Sequence, residues 1–142
     1  MNNSMKKPIV ILMVEDNDGD VLLTQEALLD GNISNRIIVA KHGQAAIDYL
    51  EKVKKDNVDV PDLILMDINL PLVNGHEAIA YIRQDDALKN IPIFIFSSSS
   101  APSDLEKSKP FVQHYLTKPL ELDKFMEGIR KINQFSLCIV KE

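Results

Sequence analysis

The sequence is poor in cysteine and has no long apolar segment. Cys138 is the single cysteine among 142 residues, so an internal disulfide is excluded and a reducing cytoplasm is favoured. No stretch of 18 apolar residues is present, and we therefore expect no transmembrane helix. Residues 1–7 are polar and lack the apolar core of a signal peptide. These absences predict a cytoplasmic protein that does not enter a membrane.

Positive charge is also scarce. Lysine and arginine number 16 against 21 aspartate and glutamate residues, the net charge is −5, and no basic block occurs. Phosphate contacts need a basic face, so we do not expect direct binding to nucleic acid. The apolar and charged fractions, 45% and 26%, are typical of a globular protein. We expect one domain over residues 1–142, with a core from about 9 to 133.

Short apolar runs alternate along the chain with segments of helical periodicity. We predict strands at residues 9–14, 36–40, 63–66, 91–96 and 112–116. Helices are expected at about 18–30, 44–55, 76–88, 101–109 and 121–133. The alternation predicts an α/β fold in which helices cover both faces of a parallel sheet.

The first predicted helix has a clear start and an apolar side. Asn17 or Asp18 can cap it, because short polar side chains accept from the first free backbone N–H groups. Its buried side is expected to consist of Val21, Leu22, Leu28 and Leu29.

Chemically reactive side chains are concentrated where the predicted strands end. Glu15 and Asp16 follow the first strand, and Asp67 follows the third. Ser97 follows the fourth strand and Lys118 the fifth. The carboxyl ends of parallel strands share one edge of a sheet, which is where open α/β sheets bind ligands. If the first and third strands are neighbours, three carboxylates meet there.

Three carboxylates in a partly dry cleft repel one another unless a proton or a cation is present. Oxygen ligands select a hard divalent cation, and a site with few carboxylates favours Mg²⁺. Lys118 could pair with Asp67 or hold an anion, and Ser97 could donate to that anion. Such a site suits phosphoryl transfer in which a carboxylate is the nucleophile.

Each of these residues also has a purely structural interpretation. Asp67 could cap a loop, Glu15 and Asp16 could be solvated, and Lys118 could be an ordinary surface lysine. Any of the serines at 97–100 could be the one that faces the site.

Other polar residues are interpreted as structural. Asp18 and Asp20 are expected to cap the first helix or to be solvated, since aspartate is favoured at helix starts. His42, His76 and His114 lie on different predicted elements without ligand spacing, so a zinc site is not expected.

Four segments together resemble the receiver domain of two-component response regulators. They span residues 14–17, 65–71 with Gly75, 96–98 and 115–119, in that order, and each closes a predicted strand. The resemblance covers about residues 9–133. It implies a doubly wound (βα)5, flavodoxin-like fold with strand order 2-1-3-4-5.

The resemblance also implies a phosphoacceptor and a metal site. Asp67 would be the residue phosphorylated by a histidine kinase. Mg²⁺ would be held by Glu15, Asp16, Asp67 and the backbone carbonyl of Asn69.

Further roles are implied for residues of the last two strands. Ser97 and Lys118 would bind the phosphoryl group, and Pro119 would fix the lysine's loop, often through a cis peptide bond. Tyr115 would turn inward when Ser97 moves, although core packing explains an aromatic residue there equally well.

The resemblance implies a switch rather than an enzyme. Residues 15–20, Glu-Asp-Asn-Asp-Gly-Asp, are similar to a single-domain subgroup, some members of which pair with phytochrome-type sensor kinases. The implied partners are a sensor histidine kinase or a phosphotransfer protein, and an unknown downstream protein. A homodimer is compatible with this class. No output domain is expected, because about nine residues follow the last helix.

Three other functions are alternatives to that of a receiver. A pseudo-receiver would keep the fold as a protein-binding module without the chemistry. A phosphatase with an aspartate nucleophile needs a second carboxylate two residues later, where this chain has Asn69. A flavin-binding protein needs an uncharged phosphate-binding loop after the first strand, where this chain has carboxylates.

Overall fold

The structure is a computed structural model that describes residues 8–57, 59–68, 70, 73–98 and 109–133. Its strands are β1 (Ile9–Val14), β2 (Asn35–Ala40), β3 (Leu63–Met66), β4 (Ile93–Ser97) and β5 (His114–Thr117). The described α-helices are α1 (Asp18–Asp30), α2 (Gly43–Asp56), α3 (Gly75–Gln84) and α4 (Leu122–Asn133). All strands are parallel and are ordered β2-β1-β3-β4-β5. This confirms the predicted α/β, doubly wound fold and its strand order.

The core consists of two layers, one on each face of the sheet. Successive side chains of a strand point to opposite faces, so the continuous apolar runs of β1 and β3 supply both layers. One layer packs strand residues against α2 and α3: Leu12, Val14, Ile64, Met66, Leu50 and Ile82. The other packs them against α1 and α4: Ile11, Met13, Leu63, Leu65, Leu28 and Phe125.

The ends of several elements differ from the sequence predictions. β4 begins at Ile93 rather than at residue 91, because Pro92 has no N–H to donate. β5 begins at His114 rather than at 112, because residues 109–111 form a 3₁₀ turn. α3 ends at Gln84 rather than near 88, because the Asp85 carboxylate accepts from the Ala87 N–H, at 2.8 Å, and forms a turn.

The predicted buried side of α1 was partly wrong. Leu22 and Leu29 are 54% and 72% exposed, whereas Val21, Thr24 and Leu28 face the sheet. The buried Thr24 hydroxyl donates to a backbone carbonyl one turn earlier, at 2.9 Å, so its burial leaves no unpaired group. Val21 and Leu28 were therefore predicted correctly, whereas Leu22 and Leu29 were not.

Some predictions lie outside the described residues. They are the helix over most of residues 101–109 and the metal-binding role of the Asn69 backbone carbonyl. Among the residues described, no helix has the length and apolar character needed to span a bilayer.

Candidate functional site

The candidate site lies at the carboxyl edge of the sheet. The strand ladders extend one residue past β1 and β3, because Glu15 N–H donates to Ala40 at 2.9 Å and Asp67 N–H donates to Val14 at 3.1 Å. Since β1 and β3 are direct neighbours, these backbone bonds hold Glu15 and Asp67 side by side. The sheet therefore brings together the carboxylates that the sequence predicted to meet.

The three carboxylates predicted to meet form a group of hard oxygen ligands. Glu15, Asp16 and Asp67 each offer one oxygen, and these oxygens lie within 4.8 Å of one another. Glu15 and Asp67 are buried, and Asp16 is exposed. One side of the group therefore faces solvent, from which a cation and its waters can enter. The donor set and its exposure fit a divalent cation that prefers oxygen.

Lys118 completes the charged cluster. Its Nζ lies 2.6 Å from Glu15 Oε1, 3.0 Å from Asp67 Oδ2 and 3.0 Å from Asp20 Oδ2. The lysine side chain is only 10% exposed, and the peptide bond to Pro119 is cis. Lys118 thus lies within ion-pair distance of the carboxylate predicted to be the phosphoacceptor.

Burial and pairing shift the proton affinities of this cluster. Burial raises the pKa of the Glu15 carboxyl, and the neighbouring Lys118 only partly offsets this. Burial lowers the pKa of Lys118, but hydrogen bonds to Glu15, Asp20 and Asp67 outweigh it and hold that pKa above its usual range. Lys118 therefore stays cationic at neutral pH.

Ser97 and Tyr115 lie on the strands beside the cluster. Ser97 is the last residue of β4, is buried, and its carbonyl accepts from the Lys118 N–H at 3.2 Å. Ser98 is exposed, so of the two serines described in the run, Ser97 is the one held inside. Tyr115 on β5 is half-buried against the core layer of α2 and α3. Its switching role stays a prediction.

Asp20 is the residue that the sequence interpretation missed. Asn17 caps α1 by accepting from the Asp20 N–H at 3.0 Å, and the Asp18 carboxylate pairs with Lys41. The Asp20 carboxylate instead reaches Lys118. A signal was available, because side chains in the first turn of a helix point back towards its N-terminus, here towards the sheet edge.

The fold is that of a doubly wound α/β domain with an acidic site at the carboxyl edge of its sheet, and comparison with known proteins identifies the family. The model of the family described as response regulator receiver domain matches residues 11–130. The chain therefore belongs to the response regulator receiver family.

Three relatives illustrate the similarity. Response regulator Rcp1 of Synechocystis sp. is 35% identical over 139 residues, which cover 96% of this chain and 95% of Rcp1. The crystal structure of the Mn²⁺-bound form of Rcp1 matches with a TM-score of 0.72 at 36% identity, over 94% of this chain and 98% of that one.

The other two are solved structures of phytochrome response regulators. The bacteriophytochrome response regulator AtBRR has a TM-score of 0.80 at 31% identity, and the match covers 96% of this chain and 99% of AtBRR. The phosphorylated cyanobacterial phytochrome response regulator RcpA has a TM-score of 0.74 at 34% identity, over 95% of this chain and 98% of RcpA.

Proposed function

We propose that this receiver accepts a phosphoryl group from a phosphohistidine of a sensor histidine kinase onto Asp67, in a Mg²⁺-dependent reaction. The observation that carries the proposal is the position of Asp67, which is buried at the sheet edge, 3.0 Å from Lys118 and grouped with Glu15 and Asp16. A nucleophilic carboxylate beside an ammonium and a divalent-cation site has what phosphoryl transfer requires.

The transfer step is a substitution at phosphorus. A carboxylate oxygen of Asp67 attacks, and an O–P bond forms as the P–N bond to the imidazole breaks. The electron pair of that bond passes to the ring nitrogen, which takes up a proton. The product is an acyl phosphate on Asp67 and a neutral histidine on the kinase.

The surrounding residues have distinct tasks in this step. Lys118 neutralises charge on the transferred oxygens, and the Ser97 hydroxyl donates to one of them. Glu15, Asp16, Asp67 and the backbone carbonyl of Asn69, which is outside the described residues, would hold Mg²⁺. When bound, that cation offsets the negative charge of the phosphoryl group.

The output of the reaction is a change in protein binding, so the chain is a switch rather than an enzyme. Ser97 and Tyr115 are the proposed moving parts, since both lie on the strands next to Asp67 and Lys118. The similarity to response regulators of phytochromes supports a phytochrome-type kinase as the donor. The cytoplasmic location stays a prediction from the sequence.

Intact-protein mass spectrometry tests the proposal. The chain is incubated with Mg²⁺ and a small acyl-phosphate donor, beside Asp67→Asn and Asp18→Asn. We expect one phosphoryl group on the wild type and on Asp18→Asn, whose altered carboxylate is exposed and paired with Lys41. Asp67→Asn should gain none. Equal labelling of Asp67→Asn, or no labelling of any variant by donor or histidine kinase, would contradict the proposal.

A further inference from the structure

The Lys118 ammonium lies close to as many carboxylates as it has N–H donors. An ammonium group has three N–H donors, and three carboxylates surround this one, from Glu15 at 2.6 Å and from Asp20 and Asp67 at 3.0 Å each. A cation that binds Glu15 or Asp67 therefore shares that carboxylate with the Lys118 ammonium, and the two positive charges compete for its negative charge.

The three carboxylates differ in their relation to the metal group. Glu15 and Asp67 are buried and belong with Asp16 to the set whose oxygens lie within 4.8 Å of one another. Asp20 is not in that set, and its side chain is 26% exposed. Of the three carboxylates around Lys118, Asp20 is therefore the one that would not also be a cation ligand.

We propose that Asp20 is a positioning residue that holds the Lys118 ammonium while a divalent cation binds Glu15, Asp16 and Asp67, and so raises the affinity for that cation. This rests on the proposed function, which requires the cation. Without Asp20, both remaining acceptors of Lys118 are cation ligands, and the ammonium competes with the cation for them. Asp20 thus lets two cationic groups share one acidic site.

The chain offers a conservative variant and a matched control. Asp20→Asn leaves the backbone of this residue unchanged, including the N–H donated to the Asn17 side chain and the carbonyl that accepts from the Thr24 hydroxyl. Asp18→Asn removes the same charge from the same helical turn, but the Asp18 carboxylate pairs with Lys41. The difference between the two variants isolates the contact with Lys118.

The test is the Mg²⁺ affinity of the unphosphorylated protein. Because the chain has no tryptophan, calorimetric titration or amide NMR shifts provide the readout. Asp20→Asn should raise the dissociation constant about tenfold, equivalent to about 1.4 kcal/mol. Asp18→Asn should change it by less than about threefold, since exposed charges are screened. In a Lys118→Met background, Asp20→Asn should have no more effect than Asp18→Asn.

Two results would overturn the proposal. Equal effects of Asp20→Asn and Asp18→Asn would mean that Asp20 acts only through its charge. A tenfold loss that persists with Lys118→Met would mean that Asp20 acts on the cation without the lysine. The amide spectrum shows whether each variant is folded, and Asp20→Ala repeats the test. Because no phosphorylation is measured, failure here is distinct from failure of the proposed role of Asp67.

Discussion

Lys118 supplies the positive charge that compensates part of the negative charge of the site. Its ammonium is 10% exposed and compensates two buried carboxylates, Glu15 and Asp67. The hydrogen bonds that outweigh its burial raise its folded-state pKa above the usual 10.5. The stabilisation linked to this shift is therefore fully present below pH 10.5 and is lost as the pH rises through the folded-state pKa.

The first prediction concerns Lys118→Met in Mg²⁺-free buffer. Removing one partner leaves buried carboxylates uncompensated, so the free energy of unfolding at pH 7 should fall by about 3 kcal/mol. The difference from the wild type should narrow as the pH rises above 10.5. Urea denaturation across this pH range measures both effects.

Lys41→Met is the matched control, because Lys41 and its partner Asp18 are both exposed. It should cost less than about 1 kcal/mol. A Lys118→Met variant as stable as wild type at pH 7 would contradict the assigned role of the ammonium. A stability difference that does not change at alkaline pH would contradict the raised pKa.

The residues that the sequence could predict are those fixed by strand ends. Glu15, Asp67 and Ser97 follow from where the apolar runs of β1, β3 and β4 stop. Asp20 could not be placed in the same way, because its contact joins α1 to the loop after β5, 98 positions along the chain. The first helical turn indicates the direction of the Asp20 side chain, but its distance from Lys118 depends on how α1 packs on the sheet, which no local pattern encodes.

At the scale of elements, one arginine on α3 forms hydrogen bonds with the segments that precede β4 and β5. Arg83, near the end of α3, donates to the carbonyls of Phe111 at 2.8 Å, Lys89 at 2.7 Å and Ile91 at 3.0 Å, and to Gln113 Oε1 at 3.1 Å. Its burial lowers the pKa of the guanidinium. The four acceptors come from the segments that lead into β4 and β5, so Arg83 links these two segments.

The second prediction concerns Arg83→Met. The variant leaves several acceptors without their donors, so the free energy of unfolding should fall by about 2–3 kcal/mol in urea denaturation. Arg83→Lys should not restore it, because an ammonium lacks the planar fork of donors. Hydrogen exchange at Gln113, whose N–H donates to Ile93 at 2.9 Å, should become faster.

Arg36→Met is the control for Arg83, because Arg36 forms a largely exposed ion pair with Asp59. We expect it to cost under about 1 kcal/mol. Equal losses of unfolding free energy in Arg83→Met and Arg36→Met would show that Arg83 contributes no more to stability than a surface arginine. An Arg83→Lys variant as stable as the wild type would contradict the role given to the planar donors of the guanidinium.

The strands β1 and β3 were predicted best. β1 and β3 were placed to the residue, since each is a continuous apolar run between two helical layers. The starts of β4 and β5 were missed because apolar residues continue before pairing begins. In α1, Thr24 is buried where the sequence predicted a leucine, because tertiary packing rather than hydrophobicity decides which side of the helix faces the sheet.

At the scale of the whole molecule, the fold concentrates like charge at one edge of the sheet. Glu15, Asp16 and Asp67 are brought together by neighbouring strands, and only part of their charge is compensated by Lys118. A divalent cation that binds there binds the folded chain, because the unfolded chain does not assemble the three ligands. Cation binding must therefore stabilise the entire fold by mass action.

The third prediction follows from this linkage. Mg²⁺ at about one hundred times its dissociation constant should raise the free energy of unfolding by about 2.7 kcal/mol. Urea denaturation in Mg²⁺ and in a monovalent salt of the same ionic strength measures the specific part. Asp16→Asn removes the exposed carboxylate of the group without uncovering a buried charge, so Mg²⁺ at the same concentration should raise the free energy of unfolding less than in the wild type. The control is Asp86→Asn, because Asp86 lies far along the chain in an exposed turn. This variant should gain as much stability from Mg²⁺ as the wild type. An equal gain from the monovalent salt, or an unchanged gain in Asp16→Asn, would mean that the carboxylates act as screened surface charge rather than as a cation site.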